Sequence, residues 1–189
     1  MICCNIYLVK YIDTAMFLSN KTISKYIQKG KIVVKGKLHI ETKGITINLG
    51  NELLIPKPNQ TVDTENPVEL KYDTYDLKKE PYILKPNGFV LGSTKQRVRT
   101  DRDIITMVDG RSTFARVGMT VHITAFVLDG VPFNNENSVL EIKNLGNFDI
   151  VLHAGEEVGT YLFAKLSERI VGGKESKYAN QTKVTPPSI

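Results

Sequence analysis

Cysteine is almost missing from this 189-residue chain. Cys3 and Cys4 are adjacent, so they can supply neither a disulfide framework nor the spaced thiolates of a structural zinc site. A reducing, cytoplasmic setting is therefore expected. The histidines, His39, His122 and His153, lack metal-ligand spacing, and no zinc and no protein-held metal are expected. No dense basic tract accompanies the net charge of +5, because Lys and Arg are scattered among Asp and Glu. That sign suits a polyanionic ligand, without the dense tract of a nucleic-acid-binding arm, and charge alone does not separate nucleotide from nucleic acid. Long apolar runs are absent too: Tyr7, Lys10, Tyr11 and Asp13 interrupt residues 1–15, which make a poor signal peptide and no membrane span. Those residues read as an N-terminal extension, with Met16 an alternative start. There is no internal repeat.

What remains is an ordinary globular composition, long enough for one domain with a sizeable core. Ser19 is placed to cap a helix, Ile23, Tyr26 and Ile27 follow at helical spacing, and Gly30 sits at the stop. Beyond it helical periodicity nearly disappears. Short β-prone runs take its place at 31–34, 44–49, 52–55, 88–92, 104–108, 120–125, 138–143, 148–152 and 160–164, separated by Gly, Pro, Asn and Asp. Such spacing predicts a mainly β barrel or sandwich. Residues 56–67 hold three prolines and read as an exposed loop inside the domain. The domain is expected to span 16–171, and the polar segment 172–189, left alone, to be a mobile tail.

Two stretches can carry chemistry. In Gly110-Arg111-Ser112-Thr113-Phe114-Ala115-Arg116-Val117-Gly118 the glycines limit any helix to about two turns, and Ser112 and Arg116 share its face. Free N–H groups, a hydroxyl and two guanidinium forks suit phosphate oxygens. A capped surface turn with solvated arginines is the other reading. In Ser138-Val139-Leu140-Glu141-Ile142-Lys143-Asn144, alternation puts Leu140 and Ile142 on one face and Val139, Glu141 and Lys143 on the other. If the second face lines a pocket, Glu141 is a carboxylate on a rigid strand, fit for proton shuttling. If it faces water, Glu141 and Lys143 form an ordinary surface pair. His122, alone in a β-prone run, reads as structural.

From Phe17 onward the chain resembles the dCTP deaminases of the dCTP deaminase and dUTPase superfamily. The resemblance rests on an ordered set: Leu18-Ser19-Asn20-Lys21 with Ile23, Ile47-Asn48-Leu49-Gly50-Asn51-Glu52, Phe89-Val90-Leu91-Gly92-Ser93-Thr94, Gly110-Arg111-Ser112, Ala115-Arg116, Val121-His122-Ile123-Thr124-Ala125, Leu140-Glu141 and Ser176-Lys177-Tyr178-Ala179-Asn180-Gln181. It implies a distorted β-barrel or jelly-roll-like fold of the dUTPase type, with a short N-terminal helix. It also implies a homotrimer with active sites between subunits and a tail closing over the nucleotide. The implied catalytic residues are Glu141, activating water for attack at C4 of cytosine and then protonating ammonia, with Ser112 and Arg116 placing that water. Implied nucleotide contacts are Arg111, Ser112, Thr113, Phe114, Ala115, Arg116, Thr124, Ala125 (whose backbone orients the base), Asp129 (deoxyribose), Val139, Leu140, and Lys177 and Gln181 (phosphates). The better-known nucleobase deaminases use a His/Cys zinc site that this chain cannot build. Mg²⁺ would come with the triphosphate, mainly through its own oxygens.

Two departures stand out. The turn from Asp129 to Asn137 is about two residues longer than the family's Asp-Pro-Gly-aromatic turn, which implies a reshaped sugar and base pocket. Ile170 replaces a tyrosine upstream of the tail lysine. Competing functions are a dUTP diphosphatase, a bifunctional enzyme taking dCTP to dUMP (which the tail especially resembles), and an inactive nucleotide-binding regulator. A nucleic-acid-binding barrel is disfavoured, because no strand interleaves aromatic and basic residues. No membrane partner is expected.

Overall fold

A computed structural model describes residues 16–66, 68–128, 136–172, 178 and 183–187. Helix α1 (Asn20–Gln28) buries Ile23 completely and ends at Gly30, whose φ of +69° lets Lys31 N–H reach the Tyr26 carbonyl at 2.9 Å. Ser19 occupies the N-cap position, but its hydroxyl makes no capping bond.

The strands are β1 (Ile32–Lys35), β2 (Gly44–Asn48), β3 (Glu52–Pro56), β4 (Tyr72–Asp76), β5 (Tyr82–Leu84), β6 (Phe89–Thr100), β7 (Ile104–Gly110), β8 (Met119–Thr120), β9 (Val127–Leu128), β10 (Glu136–Asn144), β11 (Ile150–Leu152) and β12 (Glu157–Lys165). A four-residue helix, α2 (Ser112–Ala115), lies between β7 and β8. Pairing is antiparallel throughout. One sheet runs β4-β3-β6-β10-β8 with β1 also on β6, a second runs β2-β12-β7-β9, and β11 pairs β5. The mainly β expectation holds. Among the described residues the ladders form these three sheets, not one closed ring.

Alternation fills the core between the sheets. Ile45 and Ile47 of β2, Leu140 and Ile142 of β10, and Tyr161 and Phe163 of β12 are at most 1% exposed. Tyr161 carries a hydroxyl into this core, where Thr94 Oγ1 lies at 3.0 Å and Ser138 Oγ at 2.9 Å. With one proton, the phenol donates to one and accepts from the other. The bond ties β12 to β6 and β10.

A smaller apolar cluster lies on the opposite face of the β3-β6-β10 sheet. Leu54 and Leu91 pack there with Val139, and Val184 of the C-terminal segment closes the cluster at 3% exposure. Gly172 is held separately, its carbonyl accepting from Arg102 Nη1 at 3.1 Å.

Three local expectations are corrected. The run 120–125 is not a strand beyond Thr120: the Thr120 hydroxyl turns back on the carbonyl and N–H of His122, taking both from any ladder. The strand expected at 88–92 extends to Thr100, because Lys95, Arg97 and Arg99 alternate outward while Thr94, Gln96 and Val98 point in. Three strands were not anticipated: β4, β5 and the two-residue β9. β4, with Tyr72 and Tyr75 half-buried between exposed Asp73, Thr74 and Asp76, shows little apolar alternation and is held by β3; β5 has only three residues.

Candidate active site

The Gly110–Gly118 stretch leaves the end of β7 and makes one turn of helix, with Ala115 N–H on the Arg111 carbonyl at 2.9 Å and Arg116 N–H on that of Ser112 at 3.1 Å. Phe114 is half-buried against the core and pins the turn, leaving Ser112, Thr113, Ala115 and Arg116 exposed. Gly118 then adopts φ +83°, and a methyl there would collide with the backbone of Gly146 just past β10. Leu145 N–H bonds the Gly118 carbonyl at 2.7 Å, so this turn is docked on the end of the strand that carries Glu141.

Arg111, Ser112, Thr113 and Ala115 line an open cavity of about 520 Å³, together with Glu41, Lys43, Asp109, Thr120 and His122. The Arg111 guanidinium is ion-paired here, with its side chain about one-third exposed. Its Nη1 meets Glu157 Oε2 at 3.0 Å and Glu41 Oε1 at 3.3 Å. Glu41 Oε1 also accepts from the buried Thr46 hydroxyl at 3.0 Å, and that hydroxyl lies 3.1 Å from His39 Nδ1. His39, Glu41 and Glu157 could offer a metal three ligand atoms within 4.8 Å of one another. The guanidinium already holds both carboxylates.

Glu141 lies on the outward face of β10, opposite Leu91 of β6. Its backbone N–H bonds the Val121 carbonyl at 3.0 Å, and its Oε2 accepts the Ile123 N–H at 2.9 Å. That bond settles which way the carboxylate points. It also gives the irregular course of 121–126 a function: a continuing strand would have spent the Ile123 N–H elsewhere. His122, between Val121 and Ile123, lines the cavity, and its Nδ1 is buried without a hydrogen-bond partner among the described residues.

The predicted residues therefore fall into two groups. Arg111, Ser112, Thr113 and Ala115 share the cavity, whereas Glu141 and Arg116 are not part of its lining. Thr124 and Ala125 are exposed on the segment following Ile123. Val139 is half-buried beside Leu91 and Val184, and the Leu140 side chain is in the core, leaving only its backbone for a ligand. Asp129, Lys177 and Gln181 lie outside the described residues, as do residues 1–15 and most of the long turn after Asp129. Sequence reasoning missed Glu41 and Glu157. They meet Arg111 from strand ends far apart in the chain, which no local pattern marks.

Comparison with known proteins defines the class first. Among solved structures, the 2'-deoxycytidine 5'-triphosphate deaminase from Agrobacterium tumefaciens superposes with a TM-score of 0.62 over 80% of this chain and 49% of that one, at 14% identity. That likeness shows the fold alone, which is mainly β. The chain belongs to the dCTP deaminase-like family, whose model matches residues 17–166. It is 31% identical to a protein of Methanosphaera stadtmanae named "dCTP deaminase, dUMP-forming", over 87% of this chain and 89% of that one. The protein of the same name from Methanobrevibacter smithii is 32% identical over 88% and 91%. A Buchnera aphidicola protein named "dCTP deaminase" is 31% identical over 92% and 98%.

Proposed function

We propose that this chain catalyses the hydrolytic deamination of dCTP, without zinc, to dUTP and ammonia. The observation that carries the reading is the Glu141 carboxylate, fixed on a rigid strand by the Ile123 N–H at 2.9 Å beside the segment that lines the cavity. In this reading Glu141 takes a proton from water as the oxygen adds to C4 of cytosine. It then returns that proton to the amine as the C4–N bond breaks, while the second water proton passes to N3, so water and dCTP become dUTP and ammonia. Ser112 and Arg116 place the water, and the Ala125 backbone orients the base. Arg111 and Thr113, with Lys177 and Gln181, hold phosphates, and Asp129 lines the sugar pocket. Mg²⁺ arrives on the triphosphate oxygens. Of the carboxylates that line the cavity, Glu41 is engaged by Arg111 and Asp109 lies 3.7 Å from Lys43, so they fit a metal poorly.

Glu141 is not part of the lining of the cavity that Ser112 faces among the described residues, and the complete site is read as shared between subunits of a homotrimer. Mixing Glu141→Gln with Ser112→Ala chains tests this: mixed trimers regain activity if each site draws on two chains, and stay inactive if it does not. Among the described residues no helix is long and apolar enough to cross a membrane; a cytoplasmic enzyme is proposed.

A second reading is favoured by the names of two relatives. Both the Methanosphaera and Methanobrevibacter proteins are called dUMP-forming, which fits loss of diphosphate after deamination. Incubating the protein and Mg²⁺ separately with dCTP and dUTP, while following ammonia, diphosphate and nucleotides, separates the cases. Ammonia with dUTP accumulating marks the deaminase, and dUMP from dCTP marks the second reading. Diphosphate from dUTP with no ammonia from dCTP overturns both.

A further inference from the structure

The Glu41, Arg111 and Glu157 contacts do more than neutralise a charge. Glu41 precedes β2, Arg111 follows β7 and Glu157 opens β12, so the ends of three adjacent strands meet at one guanidinium. One carboxylate would satisfy the charge. Two are present, and both meet the same nitrogen, Nη1, with side chains about one-third exposed. A guanidinium has five N–H donors in a rigid fork. Among the described residues none accepts from Nε or Nη2, so one edge of the fork is anchored and the other is unspent where Arg111 lines the cavity. Behind Glu41 the buried Thr46 hydroxyl fixes the carboxylate in turn.

We infer that Glu41 and Glu157 are positioning residues: they hold Arg111 pre-ordered, with its unspent edge presented to the phosphates of the bound nucleotide. This rests on the proposed function only in taking the ligand to be a triphosphate. Two opposing effects decide its sign. Removing the carboxylates frees a long, rotamer-rich side chain to wander, which weakens binding. It also removes negative charge near the phosphates, which strengthens binding. The Arg111 charge lies between the carboxylates and the phosphates and offsets that repulsion, so the positional loss is expected to dominate.

The test measures affinity for Mg²⁺-tripolyphosphate, dCTP and deoxycytidine by calorimetry, in the wild type, Glu41→Gln, Glu157→Gln, the double variant, Arg111→Ala and the triple combination. The double variant is expected to bind tripolyphosphate and dCTP about tenfold or more weakly, the scale on which loss of a supporting partner is felt. Deoxycytidine affinity stays unchanged. In the Arg111→Ala background the two glutamine substitutions have no further effect, because they act through Arg111. Equal loss of deoxycytidine affinity, a further loss in the Arg111→Ala background, or tighter tripolyphosphate binding by the double variant each overturns the inference. Tripolyphosphate carries no base, so these outcomes are independent of whether ammonia is released from dCTP; absence of ammonia sinks the deaminase reading alone.

Discussion

Glu141 and the Arg111–Arg116 turn are held in opposite ways. Glu141 sits mid-strand, with β6 on one side and the 121–123 segment on the other, and its neighbours Leu140 and Ile142 are locked in the core. The turn is a single helical winding with exposed side chains. Among the described residues it is fixed by Phe114 underneath, by the Gly118 contact at one end and by the carboxylates on Arg111 at the other. A group that must deliver a proton at one atom gains from a strand with no freedom. A group that grips phosphate needs bare donors, and its order then has to come from a few external contacts.

The sharpest way to break this contrast is at Glu141. Glu141→Gln keeps the shape and the Ile123 N–H contact but cannot take a proton. Ammonia release from dCTP should fall by about 10²–10⁴-fold, while dCTP binding and thermal stability persist. Loss of stability as well would make the residue structural.

The next largest effect is expected at the dock of the turn. Gly118→Ala puts a methyl into the Gly146 backbone at positive φ, whereas Gly30→Ala has the same φ problem and open space. Urea denaturation should show Gly118→Ala costing about 2–4 kcal/mol and Gly30→Ala about 1–2 kcal/mol. Equal costs would mean that the Gly118–Gly146 approach yields freely.

Tyr161→Phe probes the rigid side, where the phenol links β12 to Ser138 at the start of the Glu141 strand. Stability should drop by about 1–3 kcal/mol, since Thr94 and Ser138 lose a buried partner. Burial pushes the Tyr161 phenol above its ordinary 10.0, against the hydrogen bonds of Ser138 and Thr94. A raised folded value means the stabilisation is whole below pH 10 and fades as pH rises toward the folded value. Wild-type stability should therefore decline in alkali more steeply than that of the Phe variant.

The smallest effect is expected away from both regions, at Lys31 and Asp103, 2.9 Å apart. Burial lifts the Asp103 carboxyl, but the hydrogen bond and charge of Lys31 outweigh it and hold the group below its ordinary 3.8. Its stabilisation is present above that value and is lost as pH falls through the folded one. Lys31 is 35% exposed, so solvent screening limits the cost of Asp103→Asn to less than about 1 kcal/mol, measurable by thermal melts at neutral pH.

The sequence was most legible where side chains alternate against the core. β7 and β10 announced themselves because every second residue is buried, β2, β3 and β12 because they are short β-prone runs buried over consecutive residues, and the parity of β10 put Glu141 on the outward face. Legibility failed where side chains rewrote the backbone. Nothing in Val121-His122-Ile123 shows that the Thr120 hydroxyl will bend it, or that Glu141 will take the Ile123 N–H. Arg111 was read as a free phosphate fork, and the carboxylates that hold it come from residues 41 and 157, brought near only by the pairing of β12 with β2 and β7.

Val184 has a consequence of a different kind. Its side chain covers apolar surface that Leu54, Leu91 and Val139 would otherwise expose, on the face of the sheet that also carries Glu141. Removing it would bare an apolar patch beside the carboxylate, so this short piece near the C-terminus is a structural part of that face.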